Sequence, residues 1–324
     1  MVRCSMLQGT CEPHRKRRSP RNPAPPHTDD ALMRIPPDLL RTIFYIGETS
    51  GEQERLVGTG FFVAVPDEVK PHRWMYMVTA KHVLESVDGN YWIRINLRDG
   101  TTRTVGGDAL KWRHHPAYRV PDNRIDIAVC MTPYDVESTA FTLEPRDFVY
   151  DPAKWNISVG DEAFVIGLFT SFRGSRRNTP IVRTGNLAML PEEKVPTADM
   201  GDISAYLLEV RSFGGMSGAP VFIRETVTTQ GVSLDISGTP VVSVAPVSGV
   251  GKSWLLGLMH GHWDITERQI NDMAHDAKDE PLNLGIAVVV PAFQLAETLM
   301  QEDCVAERRR ALAELLGAHP RAKT

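Results

Sequence analysis

The chain of 324 residues contains only four cysteines, Cys4, Cys11, Cys130 and Cys304, and they are scattered along its length. This set forms no disulfide framework, so we expect a fold without disulfides and a reducing compartment. No stretch approaches the roughly 18 consecutive apolar residues that a membrane-spanning helix needs. A secretory signal requires an apolar segment after its basic residues, and no such segment follows the basic residues near the N-terminus. We therefore predict a cytoplasmic protein with no membrane partner.

A large excess of charge is also lacking. The formal net charge is −4, from 36 basic and 40 acidic residues. This value is too small to argue for nucleic acid as a partner. Basic residues do cluster in residues 1–37, which are rich in proline and poor in large apolar groups. Such a segment buries too little surface to fold, so we predict a disordered tail. The tail could be an arm that binds nucleic acid or a partner through its charge, or a solvated extension without a binding role. We favour the extension.

Long helical stretches are lacking between residues 38 and 295, which argues against a parallel sheet with crossover helices. The region instead consists of short apolar runs separated by Gly, Pro, Asn and Asp, a pattern typical of a β-sandwich or β-barrel. Residues 225–253 are longer than a hairpin turn requires and are interpreted as an insertion. Residues 292–316 predict a helix, because Pro291 lies near its start and Gly317 just after its end.

Three polar side chains lie in contexts that indicate nucleophilic catalysis. Ser217 lies in the glycine-rich loop 214–220, which can present one hydroxyl on a tight turn. A hydroxyl is a poor nucleophile unless a base takes its proton. His82 follows an apolar strand, residues 74–78, and provides a candidate base. Asp126 stands alone in an apolar run, where an ionised carboxylate needs a partner such as a histidine N–H.

The motifs around these residues resemble those of the chymotrypsin-like, or trypsin-fold, serine peptidases, and in particular the bacterial trypsin-like branch without disulfides. The resemblance covers roughly residues 40–295. The three principal motifs are Thr79-Ala80-Lys81-His82, Asp126-Ile127-Ala128-Val129 and Gly215-Met216-Ser217-Gly218. Three further segments resemble strands and a turn of the family in the same order, namely residues 159–167, residues 182–185, and residues 255–258 with 284–288.

The resemblance implies an all-β fold of two six-stranded antiparallel barrels with a C-terminal helix and a disordered N-terminal tail. After the tail, residues 1–37, the first barrel would span residues 38–145 and carry the histidine and the aspartate. The second barrel would span residues 146–295, carry the serine and include the insertion 225–253. Residues 296–324 would form the C-terminal helix and tail.

The resemblance also implies a serine endopeptidase that forms an acyl-enzyme intermediate. Ser217 would attack the scissile carbonyl, His82 would take its proton, and Asp126 would orient the imidazole. The backbone N–H groups of Gly215 and Ser217 would form the oxyanion hole. The alternative is a catalytically silent module of the same fold that binds extended peptides or partner proteins.

The substrate pocket is the least determined part of the site. Its candidate residues are Arg211, Ser212, His260 and Gly261, which lie where the family keeps its specificity determinants. Two cations, Arg211 and His260, would favour an acidic side chain at the cleavage site. Alternatively Arg211 points to solvent or pairs with Glu209 while His260 merely packs, and we favour this alternative because exposed charges are the default.

Two weaker patterns are set aside. Residues 260–264 alternate potential metal ligands, but they lack the three-ligand pattern of a catalytic zinc site. Residues 249–253 fail the phosphate-loop pattern because Pro246 replaces a required glycine. We therefore predict no metal and no cofactor. The expected partner is a polypeptide substrate, with a regulatory or sensor protein as a further candidate and no nucleic acid.

Overall fold

Strands dominate the structure, a computed structural model that describes residues 35–317 except 52, 88–89, 98, 121–123, 133–141, 198–199, 212–213, 225–226, 235–239, 248–251 and 267–280. The described chain from Pro37 onward folds as one compact unit. The strands are β1 (Ile43–Ser50), β2 (Gln53–Pro66), β3 (Arg73–Thr79), β4 (Tyr91–Asn96), β5 (Thr102–Gly106), β6 (Arg113–His114), β7 (Ala128–Met131), β8 (Glu162–Gly167), β9 (Ile181–Met189), β10 (Lys194–Thr197), β11 (Gly201–Ser204), β12 (Tyr206–Glu209), β13 (Pro220–Arg224), β14 (Val227–Leu234), β15 (Pro240–Val247), β16 (Ser253–Thr266) and β17 (Pro281–Pro291). The helices are α1 (Lys81–Glu85), α2 (Ala292–Met300) and α3 (Glu302–Gly317).

The first β unit is a seven-stranded antiparallel sheet in the order β5-β4-β1-β2-β3-β7-β6. Aromatic and β-branched residues fill its long central strand β2, which is buried continuously from Gly58 to Val65. Such a run favours a strand that is covered on both faces. Phe44 and Phe62 contact each other in the core, with ring centroids 5.1 Å apart. The unit therefore gives a rigid support to the loops at the ends of β3 and β7.

The second β unit is a closed six-stranded barrel in the order β12-β17-β16-β13-β8-β9. Apolar side chains from all six strands fill its interior, for example Val165, Leu187, Leu208, Val221 and Val289. Closure leaves the barrel without unpaired strand edges. The separate hairpin β14–β15 lies within the predicted insertion, between β13 and β16.

Arg94 fastens the loop that follows β8 to the first unit. Its guanidinium donates to the carbonyl oxygens of Gly174 and Ser175, each at 2.9 Å. In return, the side-chain amide of Asn178 donates to the Arg94 carbonyl oxygen at 2.7 Å. Because Arg94, Gly174 and Asn178 are buried, these hydrogen bonds hold the loop after β8 against the first β unit.

The C-terminal region is helical, as predicted, but it forms two helices rather than one. Helix α2 ends at Met300 because the backbone of Gln301 turns extended, with ψ of 152°. Leu295 and Leu299 bury the inner face of α2, whereas Leu315 near the end of α3 is exposed. No helix in the described part of the chain is long and apolar enough to span a membrane.

The predicted all-β, chymotrypsin-like architecture is confirmed. The barrel that carries the predicted nucleophile has six strands, and the first unit has a seventh because the two-residue strand β6 pairs with β7. Most of the predicted tail, residues 1–34, lies outside the described residues. The exact domain boundaries stay a prediction.

Candidate active site

His82 and Asp126 meet because their strands are neighbours in the first sheet. Thr79 at the end of β3 lies opposite Ala128 at the start of β7. His82 follows in the first turn of α1, and Asp126 precedes β7 by two residues. The Asp126 Oδ2 atom lies 2.5 Å from His82 Nδ1, and its Oδ1 atom accepts a hydrogen bond from the His82 backbone N–H at 2.9 Å. The carboxylate therefore holds both the ring and the main chain of His82.

Asp126 is completely buried. Burial raises the pKa of its carboxyl group, but hydrogen bonds from His260 and His82 outweigh this effect and hold the pKa well below its ordinary value. The side chain is therefore an ionised acceptor at neutral pH. Because it can only accept, the contact requires a hydrogen on His82 Nδ1, which leaves the lone pair on Nε2.

A second histidine contacts the same carboxylate oxygen. His260 Nδ1 lies 2.6 Å from Asp126 Oδ2, and its side chain is almost fully buried. The rings of His82 and His260 meet edge to face, with centroids 5.1 Å apart. His260 was a candidate for the substrate pocket, with core packing as the favoured alternative, and in the structure its Nδ1 atom contacts Asp126. Its pocket role stays a prediction.

The turn that carries Ser217 docks on the first β unit. The backbone N–H of Thr59 on β2 donates to the Ser217 carbonyl oxygen at 3.0 Å. A Cβ atom on the next residue, Gly218, would lie 2.3 Å from Thr79 Oγ1 and 2.9 Å from the backbone nitrogen of Ala80. With φ of +79°, Gly218 also adopts a conformation that favours glycine. The turn thus lies directly against the end of the strand that leads to His82.

Thr59 is the main polar connection between this turn and its surroundings. Its Oγ1 atom donates to the Gly215 carbonyl oxygen at 2.7 Å and accepts from the Leu168 backbone N–H at 2.9 Å. Its own carbonyl oxygen accepts from the Thr79 hydroxyl at 2.8 Å. The fully buried Thr59 therefore connects β2, β3, the end of β8 and the Ser217 turn.

Gly215 and Ser217 were predicted to supply oxyanion donors. In the described part of the chain, neither backbone N–H donates a hydrogen bond to a protein acceptor. Gly215 has φ of +96°, and a Cβ atom there would lie 2.7 Å from Thr170 Cγ2. Only glycine fits this position without strain. A turn with two unpaired donors beside a hydroxyl is able to bind a negatively charged oxygen.

The last link of the predicted triad would be a hydrogen bond between Ser217 and His82. Among the described residues, none joins the Ser217 hydroxyl to His82. Ser217 is partly exposed, and His82 is also partly open to solvent. Catalytic hydrogen bonds of this kind are often long in free enzymes and shorten when substrate binds.

The remaining pocket candidates are less well connected. Arg211 is exposed, its carbonyl oxygen accepts from Arg183 Nε at 3.0 Å, and its Cγ atom would lie 3.6 Å from a Cβ on Gly285. Gly261 is half-buried and has open space where a Cβ would point. Ser212 lies outside the described residues. The roles of these residues in substrate recognition stay a prediction.

Two charged residues, Lys81 and Glu85, flank His82 in helix α1. The Lys81 ammonium lies 2.9 Å from Glu85 Oε1, and the Tyr118 hydroxyl donates to the other oxygen of the same carboxylate. Burial raises the pKa of Glu85, and the hydrogen bonds from Tyr118 and Lys81 more than offset this and lower it. Glu85 therefore stays ionised beside the His82–Asp126 pair.

His82, Asp126 and His260 also form a group of potential metal ligands, with ligand atoms within 4.8 Å of one another. The nitrogen–oxygen distances of 2.5 and 2.6 Å are those of hydrogen bonds. A zinc ion bound to these atoms needs about 2.0–2.1 Å to each nitrogen and therefore a wider spacing between the ligand atoms. The group as it stands is hydrogen-bonded, and the prediction of no metal stays a prediction.

Comparison with known protein families gives no match, and comparison with curated proteins gives none either. Solved structures with a similar fold include the MamO protease domain from Magnetospirillum magneticum in its apo form, at 12% identity and a TM-score of 0.48, covering 82% of this chain and 98% of that chain. Deg5 matches at 16% identity and a TM-score of 0.43, covering 80% of this chain and 88% of that chain. The structure called HBP matches at 9% identity and a TM-score of 0.45, covering 81% of this chain and 91% of that chain.

These likenesses are too distant to carry an inference about activity. The fold class follows from the chain itself, which has a closed six-stranded barrel and a second, seven-stranded sheet. The candidate site adds a histidine–aspartate pair and a glycine-rich turn that carries a serine. This is a trypsin-like serine protease fold, as the sequence motifs indicated.

Two features of the site were not found from the sequence. Thr59 lay inside a predicted strand, and no local motif marked its contacts with Gly215 and Leu168, which are more than 100 residues away. The contact of His260 with Asp126 spans 134 residues. The only available signal was an isolated histidine in an apolar strand, which by itself indicates core packing as readily as a function.

Proposed function

We propose that the chain is a serine endopeptidase that hydrolyses peptide bonds through an acyl-enzyme intermediate. The observation that carries this proposal is the 2.5 Å contact between His82 Nδ1 and the buried, ionised Asp126. A buried carboxylate that binds Nδ1 of a partly exposed imidazole leaves the Nε2 lone pair of that imidazole available, so the imidazole can act as a base. The Ser217 turn docked next to this pair supplies the candidate nucleophile.

In the proposed reaction, Ser217 Oγ attacks the carbonyl carbon of the scissile peptide while His82 Nε2 accepts the hydroxyl proton. The N–H groups of Gly215 and Ser217 stabilise the tetrahedral oxyanion. As the C–N bond breaks, His82 returns the proton to the leaving amine, and an ester to Ser217 remains. Water then attacks the ester with His82 again as base, which releases the carboxylic acid and regenerates the serine.

A second candidate is a protease-like module that binds extended peptides without cleaving them. The absence of a hydrogen bond between the Ser217 hydroxyl and His82, in the described part of the chain, favours this candidate. The two functions differ in whether the serine is chemically activated. A peptide that binds and is recovered intact supports the binding module, and a cleaved peptide supports the peptidase.

Labelling with a fluorophosphonate tests the proposal directly, because this reagent phosphonylates only an activated hydroxyl. We expect the wild-type protein to gain one adduct, mapped to Ser217 by mass spectrometry, and Ser217→Ala to gain none. Asp126→Asn is a further control, expected to label about 10⁴-fold more slowly because the imidazole loses its orienting carboxylate. Folded wild-type protein that does not label would argue against the peptidase.

Labelling shows activation, and a cleavage profile shows turnover. A peptide library or proteome digest incubated with wild-type protein is expected to yield new N-termini that are absent with Ser217→Ala. The residue before each cleavage site would also decide between the acidic preference and the alternative for Arg211. Labelling without any cleavage would retain an activated serine but exclude peptide bonds as its substrate.

A further inference from the structure

His260 lies at a β-bulge, outside the regular pairing of its strand. In the ladder of β16 and β17, Met259 pairs with Val289, and Gly261 pairs with the adjacent Val288. His260 is therefore the extra residue between two consecutive pairs. Bulges of this kind redirect a side chain away from the normal alternation of a strand. Here the redirected side chain leaves the barrel and reaches Asp126 in the other β unit.

The contact completes the set of donors on a carboxylate that is fully buried. Asp126 accepts from the His82 backbone N–H, from the His82 ring and from the His260 ring. An ionised carboxylate in such surroundings is costly unless its oxygens are paired. Without His260, Oδ2 would keep a single donor, and the carboxylate would lose one of the hydrogen bonds that keep its pKa low. His260 therefore influences the charge and the position of the group that orients His82.

The same short stretch of β16 holds the Ser217 turn. The Met259 carbonyl oxygen accepts from the Gly218 backbone N–H, and the Met259 N–H donates to the Ala219 carbonyl oxygen, both at 2.8 Å. The residues on either side of one peptide bond thus bind the nucleophile turn and the orienting carboxylate. This arrangement sets the distance between Ser217 and the His82–Asp126 pair from within the second barrel.

We propose that His260 is a positioning residue of this site, which acts through Asp126 by holding its carboxylate between two imidazole N–H donors. The proposal rests on the proposed function for its effect on reactivity, but the shared carboxylate is a physical claim that can be measured without any substrate. His260 holds the Asp126 carboxylate that also binds His82, while its neighbour Met259 holds the turn that carries Ser217.

A matched pair of substitutions separates the donor from the bulk of the side chain. His260→Asn keeps a nitrogen donor on Cγ, where Nδ1 is attached in histidine, and His260→Leu fills apolar space without any donor. We expect His260→Leu to lower the fluorophosphonate labelling rate of Ser217 by about tenfold to a hundredfold, the size of effect that misplacement of a catalytic group produces. We expect His260→Asn to recover most of the loss. In steady-state assays the loss should fall on kcat and leave KM nearly unchanged.

A spectroscopic measurement tests the contact itself. In protein labelled with ¹⁵N-histidine, in the Ser217→Ala background, we expect two strongly deshielded ring N–H protons, one from His82 and one from His260, both of which shift upfield in Asp126→Asn. His260→Leu should remove one signal and move the other, whereas His260→Asn should leave the His82 signal near its wild-type position. A purely structural histidine would leave the His82 ring proton unmoved.

The outcomes are distinguishable from those of the proposed function. A wild type that never labels but shows both ring protons would overturn the peptidase and retain the shared carboxylate. One deshielded proton instead of two, or a folded His260→Leu that labels at the wild-type rate with an unchanged His82 signal, would overturn the role of His260. Should His260→Leu fail to fold, the comparison of the Ser217→Ala protein with and without Asp126→Asn decides on its own.

Discussion

The backbone N–H of Thr59 donates to the carbonyl oxygen of Ser217 at 3.0 Å, so the main chain of the candidate nucleophile is bonded to the neighbouring β unit. The Thr59 hydroxyl adds bonds to Gly215 and Leu168. One buried residue thus fixes the turn from two directions. The geometry of the candidate site consequently depends on a side chain that takes no part in the proposed chemistry.

Thr59→Val is expected to lower both stability and reactivity. Valine fills the same volume but leaves the Gly215 carbonyl oxygen and the Leu168 N–H without their partner, at roughly 1–3 kcal/mol for each buried unsatisfied group. The released turn should reduce Ser217 labelling by about a hundredfold or less. Chemical denaturation and labelling kinetics measure the two effects. Thr59→Ser keeps the hydroxyl and is the control, and equal labelling rates for the two variants would contradict this role.

Gly215→Ala should abolish most of the proposed peptidase activity and leave the rest of the barrel nearly undisturbed. The new Cβ would lie 2.7 Å from Thr170 Cγ2, and φ of +96° is unfavourable for alanine. The peptide must shift, which displaces a predicted oxyanion donor at a cost of about 10²–10³ in kcat. Gly214→Ala is the matched control, because it is exposed and no atom lies within 4 Å of its Cβ position. Loss of activity in both variants to the same degree would argue against a specific role for Gly215.

The stability of the protein in acid should depend on Asp126. Its pKa is held below the ordinary value for an aspartate in the unfolded chain, so its ionised form stabilises the fold above that value. This contribution is lost as the pH falls from the unfolded pKa, about 3.9, toward the lower folded pKa. We expect denaturation curves of the wild type to show a steep loss of stability in this range, and Asp126→Asn to show a shallower one. Parallel curves for the two proteins would contradict the prediction.

The local motifs made much of this site predictable. Thr79, Asp126 and Gly215 each stand in a short pattern whose chemistry is readable within a few residues, and the apolar runs between them indicate short strands. The structure adds a physical reason for the threonine in the first motif. The Thr79 hydroxyl donates to the Thr59 carbonyl oxygen and lies against Gly218. Patterns within one segment are therefore informative about the groups that the segment presents.

Contacts between segments were not predictable in the same way. The register of β16 on β17 shifts at His260, and the neighbouring Gly261 is only a weak signal of a bulge, since β16 contains a second glycine, Gly257. Whether this histidine faces the pocket, the core or Asp126 depends on that single shift, because one residue of displacement reverses the face of a strand. The division of the C-terminal segment at Gln301 is a further case, since neither glycine nor proline interrupts the helical pattern there.

Arg308 should be essential for docking helix α3, whereas its neighbour Arg310 should not. The guanidinium of Arg308 is buried and donates to the Tyr76 hydroxyl at 2.9 Å and to the Leu299 carbonyl oxygen at 2.8 Å. Burial raises the pKa of Tyr76 to about 12, so its hydroxyl stays neutral and needs a hydrogen-bond partner inside the protein. Arg308→Met keeps the aliphatic length of the side chain but removes every donor.

We expect Arg308→Met to lower the free energy of unfolding by roughly 1–3 kcal/mol, the penalty for leaving a buried polar group unpaired. Arg310 is exposed, so Arg310→Met should change stability by less than about 0.5 kcal/mol. Thermal and urea denaturation of both variants measure the difference. Because Tyr76 belongs to β3, the strand that leads to His82, a slower labelling of Ser217 in Arg308→Met alone would indicate that α3 also supports the site. Equal stability of the two variants would show that the Arg308 contacts do not hold the helix.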